Sequence, residues 1–311
     1  MLGGQGPSRT LLLGAAMGVA LLLVEAGEGR LGSPGRVTAL MSLMPTAIAI
    51  ALGGPVGGTA AIVVAAAGAT TVMGGTAAVA VLLRHALPGV VLGLVVSRRL
   101  SVTLSLVAVG VASAVGLALL LWVYLPVGTG VLPFVGRQFE AHVAGLQGDP
   151  GWLGLPGEPA WVAETARLAA SALRMVGPAL VLVGMFLVAL VNYVGTRLVI
   201  RADGFRPFAQ EAVPDHLVWL VIAGGLLVAS GQGTVQLFGL NLLIALVPLY
   251  AIQGLAVLRH FFQRVRVPRP LQGLSFGLFA VQPLLLIAAA CLGLTDLWVD
   301  FRKIRQAPTP A

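Results

Sequence analysis

The chain has 311 residues, of which 58% are hydrophobic and only 10% charged, with a formal net charge of +8. That balance leaves too little polar surface to clothe a soluble core of this size, so the expected solvent for most of the chain is lipid. Nor does the positive charge call for a nucleic-acid partner, because membrane proteins concentrate Arg and Lys in short cytoplasmic loops without any anionic ligand.

A crossing of the bilayer needs about 20 mostly apolar residues, somewhat fewer beside interfacial anchors. By that measure there are nine candidate crossings, at 10–24, 37–52, 59–73, 76–96, 102–124, 176–196, 216–230, 235–258 and 271–297. The predicted fold class is all-α, a polytopic transmembrane helical bundle of about nine spans. It has eight if the first run is a cleaved signal peptide, since Arg9 precedes that run and Val24, Glu25 and Ala26 resemble a cleavage site. In the first crossing small residues repeat at a spacing of four, Gly14 with Gly18 and Ala16 with Ala20, which permits close helix approach and makes these positions candidates for docking a partner.

The costly intramembrane charge lies in "VLLRHALPGVVLG". Arg84 falls near the middle of the fourth crossing, where insertion costs roughly 2.5–3.5 kcal/mol, and His85 follows it. Both are candidate ligand-binding residues, and Pro88 nearby frees backbone carbonyls. In the alternative arrangement the third segment runs on to Leu83, Arg84 sits at an interface, and the following residues form a short half-helix.

A long polar interval, 125–175, separates the fifth and sixth crossings and is rich in Pro and Gly at its centre. At its end Glu164, Arg167, Ser171 and Arg174 share one helical stripe, which predicts an amphipathic helix on the outer membrane surface or a lid over a pocket there. Gly177 and Pro178 predict a bend into the sixth crossing. Near the end of that crossing, in "ALVNYVGTRLVIR", Asn192 and Tyr193 are candidates for ligand contact, although helix packing and interfacial anchoring suit them as well. Asn241, Gln253 and Gln282 are expected to bond neighbouring helices or to line a polar cavity.

Arginine counts orient the bundle. With the N-terminus cytoplasmic, the inner loops collect Arg9; Arg98 and Arg99; Arg197, Arg201 and Arg206; and Arg259, Arg264, Arg266 and Arg269. Nine crossings leave the tail, with Arg302, Lys303 and Arg305, on the outer side, against the same rule.

Little chemistry is offered. The 11 acidic residues fall in loops or at span edges, so no mid-membrane carboxylate pair is expected for proton relay. His85, His142, His216 and His260 have no metal-ligand spacing, Cys291 stands alone in an apolar run, and Lys303 is the sole lysine, so no phosphate-gripping loop exists. No metal, no cofactor and no enzymatic activity are expected.

The strings "LVNYVGTRLVIR", "LYAIQGLAVLRHFFQRVRVPR" and "LGLTDLWVDFRK" resemble the YybS-like family of predicted bacterial membrane proteins of unknown function. More faintly, the first six crossings, with "LPGVVLGLVVSRR" and the Ala16 and Ala20 face, resemble the substrate-binding (S) components of energy-coupling-factor vitamin transporters. That second resemblance implies a vitamin-binding protein that borrows its ATPases through a transmembrane coupling protein, although no vitamin-contact residues map onto this chain. The expected organisation is a six-span domain over 1–201, including the outer loop and amphipathic helix at 125–175, followed by a three-span region over 202–311. The expected partners are the lipid bilayer, a small-molecule ligand and such a coupling protein, in a bacterial inner membrane; the alternative is a non-transporting membrane scaffold.

Overall fold

Apolar runs bounded by Pro, Gly and Arg become helices, and no strand occurs among the described residues. The computed structural model describes residues 7–30, 40–125, 160–201 and 204–304, with the side chains of 25–30, 160–174, 280 and 281 left aside. The outer interval 126–159, the side chains of the stripe Glu164, Arg167, Ser171 and Arg174, and Arg305 therefore lie outside what is described. The helices are α1 (Pro7–Arg30), α2 (Met44–Met73), α3 (Gly75–Val81), α4 (Leu87–Ser97), α5 (Val102–Tyr124), α6 (Ala160–Ile200), α7 (Val218–Ala229), α8 (Gly233–Arg264), α9 (Arg269–Val281) and α10 (Pro283–Val299). A π-helical turn, Leu82–Ala86, joins α3 to α4.

Six helices among the described residues are long and apolar enough to cross a membrane, or seven if α9 and α10 count as one bent span, against the nine expected from hydropathy. The difference arises in three places. Residues 44–52 of the second run and the whole of 59–73 belong to one element, α2, broken at Gly54 by a left-handed φ of 62° that glycine alone adopts without strain. Its two arms fold back on each other: a Cβ on Gly57 would lie 2.6 Å from the Ala49 carbonyl oxygen, whereas a continuous helix would separate those residues by about 12 Å. The first arm is helical only from Met44 and so spans about 15 Å, half the hydrocarbon thickness. In the second place, α7 has only 12 residues, about 18 Å of helix.

The third place is 271–297, where the chain turns through 104° between α9 and α10. Pro283 drives Gln282 out of the helical region, to φ −95° and ψ 109°. Both ends of the pair lie beside the last turns of α8: Arg259 donates to Gln272, and the rings of Phe261 and Phe301 stand 6.4 Å apart. The pair thus enters and returns on one side. This removes the conflict over the tail, because Arg302 ends up with the other basic loops.

That basic end is well tied together. Gly204 abuts the Arg99 guanidinium, the Thr103 N–H donates to Glu211 Oε2 at 3.3 Å, and Arg302 donates to the carbonyls of Ala209 and Glu211. Helix α1 also starts there, with the Thr10 methyl beside Gly53 at the close of the first α2 arm.

Pro178, where a bend into the sixth crossing is expected, does not interrupt the helix: α6 is continuous over 41 residues, Ala160–Ile200. Asn241 of α8 explains how. Its Oδ1 accepts from the Ala179 N–H at 3.0 Å and its Nδ2 donates to the Met175 carbonyl at 2.8 Å, standing in for the helix bond that Pro178 opens.

One core of buried side chains joins both halves of the sequence, from Leu43, Leu92, Leu106 and Tyr193 to Val213, Tyr250 and Ala289. Within it α8 and α10 touch backbone to backbone. A Cβ on Gly254 would collide with the Ala289 carbonyl, and one on Gly293 with the Tyr250 carbonyl. Gly254→Ala is therefore expected to destabilise the fold by about 1–3 kcal/mol, because two backbones must part. Gly273→Ala, on α9 with open space around it, is expected to stay within about 0.5 kcal/mol of the parent. Thermal unfolding in detergent compares the two.

Candidate functional site

Pro88 has no N–H to give to the carbonyl four residues back, that of Arg84. The helix widens there into the π-helical turn Leu82–Ala86, a local form that recurs at functional sites. Of the two arrangements open for Arg84, the structure shows the first: Gly75–Ser97 is one 23-residue apolar stretch with Arg84 inside it. The turn leaves Arg84 exposed and sinks His85, which is only 3% exposed.

Facing this turn is the start of α2. Residues 40–43 form a turn, exposed at Leu40 and Met41 and buried at Ser42 and Leu43, and Leu43 at the helix start supplies no side-chain cap. Asn192 of α6 does so instead. Its Oδ1 accepts from the N–H groups of Leu43 and Met44, both at 3.0 Å, while its Nδ2 donates to the carbonyls of Leu40 and Val188, both at 2.7 Å. Irregular backbone survives at this depth only when protein satisfies it, which is what Asn192 accomplishes.

Between the two walls lies a cavity of about 310 Å³, lined by Leu40, Ser42, Leu43, Arg84, His85, Ser113, Leu117, Leu120, Met185 and Val188. Its volume sits at the lower edge of the ~300–1,000 Å³ typical of small-molecule sites. Leu117 and Leu120 mark its position, toward the Tyr124 end of α5 and away from the basic end. The chemistry on offer is recognition: guanidinium donors, an imidazole and serine hydroxyls over an apolar floor, with no carboxylate in the lining.

The candidates from the sequence divide accordingly. Arg84 and His85 line the cavity together. Asn192 stands behind its wall as the clamp of the turn. Tyr193 points elsewhere, buried at the basic end, where its hydroxyl accepts from Arg197 at 3.4 Å. Gly14 and Gly18 are occupied within the chain, packed on α2 against Gly57, Ala60, Ala61 and Val64, whereas Ala16 is exposed and Ala20 half-buried.

Hydropathy did not single out Ser42 or Ser113, although "SLMPT", with its proline at the first helical turn, carries a helix-start signal that points to the wall. Gln253 bonds a neighbouring helix, as its sequence context suggests, but the other members of the buried polar network it joins at the basic end were not singled out. There Gln253 accepts from the Val213 N–H at 2.9 Å and donates to Asp296 at 3.1 Å, and Asp296 pairs with Arg302 at 2.7 Å. Among the described residues no group of three or more His, Cys, Asp or Glu is placed to hold a metal ion.

Long apolar helices whose outward faces carry exposed Leu12, Val63, Trp122, Leu198 and Phe238 define a polytopic integral membrane protein. Residues 34–297 match the model of the predicted membrane protein family DUF2232, and the chain belongs to that family. The match agrees with the resemblance to a family of predicted membrane proteins, while the fainter likeness to vitamin-transporter S components has no support in it. No curated protein and no solved structure matches the chain.

Proposed function

We propose that this protein is a substrate-binding membrane component of small-molecule uptake, holding a vitamin-sized ligand in the cavity between α2, the π-turn, α5 and α6. The observation that carries this reading is the placement of Arg84 and His85 on the wall of a cavity inside the membrane-spanning bundle. An intramembrane cation is costly and marks a site by default. A half-helix starting at the midplane, with its backbone satisfied by a neighbour, is a form that transporters use around their ligands.

In this reading the arginine-rich end is cytoplasmic in a bacterial inner membrane, as is the N-terminus, so the cavity lies in the outer half of the bilayer. The ligand is bound and not transformed. Movement requires a transmembrane coupling protein with ATPases, for which the exposed Ala16 and half-buried Ala20 offer a close-approach face on α1.

The test is mass spectrometry of small molecules released from gently purified protein. A bound compound is expected in the parent, and Arg84→Ala is expected to retain at least about tenfold less of it, the loss of one charge-assisted contact of ~1.5–3 kcal/mol, with membrane insertion unchanged. Equal retention by the variant removes Arg84 from the site. Absence of any small molecule, with envelope proteins co-purifying instead, favours a scaffold.

A further inference from the structure

A second site stands at the opposite end of α6. Arg197, in the last turn of α6, and Arg201, just past its end, both line a groove of about 530 Å³. The Arg197 guanidinium is held in position: its central carbon lies 3.9 Å from the Phe205 ring centroid and 5.5 Å from that of Tyr193, and Nη1 donates to the Tyr193 hydroxyl. Stacking occupies the faces of the guanidinium and leaves N–H edges for a ligand. Arg201 follows at the helix end, exposed, in a left-handed conformation with φ 46°. Neither arginine forms an ion pair with a described carboxylate.

Below the two charges the groove is lined by Leu190, Val194 and Leu198. Val194 and Leu198 are exposed, and in a membrane-embedded bundle such side chains face acyl chains. The groove therefore passes without interruption from hydrocarbon to fixed positive charge. Free phosphate would use only its upper part. We propose that this groove binds one anionic phospholipid, its phosphate on Arg197 and Arg201 and an acyl chain along Leu190, Val194 and Leu198. Basic pockets at this level of a membrane protein suit such headgroups.

The full chain, purified in mild detergent, is incubated with phosphatidylglycerol or with phosphatidylcholine of identical acyl chains, and bound lipid is counted by native mass spectrometry. One phosphatidylglycerol is expected, preferred over phosphatidylcholine by about thirtyfold for two arginines near the surface. Arg201→Gln, a change at an exposed position, is expected to lower the preference to about fivefold, and the double variant R197Q/R201Q to abolish it. Arg266→Gln, at the same end but outside the groove, leaves it intact. Equal retention of the two lipids, or an undiminished preference in Arg201→Gln, overturns the proposal. Displacement of phosphatidylglycerol by millimolar inorganic phosphate overturns it in favour of a free anion, whereas resistance to phosphate supports the lipid.

Discussion

Arg302→Ala is expected to destabilise the protein by about 3–5 kcal/mol, the loss typical when one partner of a buried ion pair is removed. Arg302 is 8% exposed and Asp296 3%, and their 2.7 Å contact is the centre of a wider arrangement. Nη1 also donates to the Ala209 and Glu211 carbonyls, at 2.9 and 2.7 Å. Asp296 Oδ1 accepts from the Phe301 N–H at 3.1 Å, which closes the turn after α10. Alanine at 302 takes the guanidinium from a buried carboxylate and from two backbone carbonyls. Gln253 and the Phe301 N–H remain on Asp296, but two neutral donors do not replace a guanidinium. The double variant D296A/R302A is expected to lose less than the sum of the two single changes, because it removes the stranded charge along with its partner. Thermal unfolding in detergent measures the cycle, and an additive result would mean that the pair is not coupled. Because these contacts tie the tail to the segment before α7, limited proteolysis of Arg302→Ala is expected to release the C-terminal residues first.

How much of this was legible beforehand depends on the range of the interaction. The apolar runs and their Gly and Pro boundaries are local, so α5 begins and ends where hydropathy places it, at 102 and 124. "ALGGPVGG" announces a break, but the reversal of direction at Gly54 depends on a left-handed φ that composition does not encode. Arg84 and His85 were legible because a charge in an apolar run is a local anomaly. Asn192 was visible as a polar residue near a helix end, yet its role was not, since its partners Leu43 and Met44 lie 149 and 148 residues away. The same distance hid the polar network, in which Thr103 meets Glu211 across 108 residues and Arg302 meets Ala209 across 93. The charge rule did detect an error, in placing the tail on the wrong side. Its cause, the return of α9 and α10 to one face, needed the contacts of Gln272 and Phe301 with α8.

Asn192→Leu is expected to cost about 3 kcal/mol, with loss of ligand retention in the same variant. The branching is conserved, but the methyl groups are bulkier than the amide oxygen and nitrogen, so some overpacking adds to the cost. What disappears is the partner of the Leu43 N–H and of the Leu40 carbonyl, and one of two partners of the Met44 N–H, which also donates to the Met41 carbonyl at 3.1 Å. Val188 is a lesser loss, because its carbonyl lies one helical turn before residue 192 and keeps the backbone N–H of that residue. Side-chain hydrogen bonds between membrane helices often contribute well under 1 kcal/mol, since each group finds another partner when the bond is cut. Here the groups left without a partner, the Leu43 N–H and the Leu40 carbonyl, belong to the backbone of a turn that water does not reach in a membrane, where an unmade bond costs ~1–3 kcal/mol per group. Asn192→Asp separates the two halves of the clamp: a carboxylate still accepts from Leu43 and Met44 at a helix N-terminus, where negative charge is favoured, but nothing donates to Leu40. The expected order of thermal stability in detergent is therefore the parent first, the aspartate variant next and the leucine variant last. Arg84→Ala should differ in kind, losing the proposed ligand with a smaller loss of stability than Asn192→Leu, because Arg84 is an exposed residue of the cavity lining. If Asn192→Leu instead proved as stable as the parent, the start of α2 would be fixed by packing alone, and the amide would no longer account for the shape of the cavity.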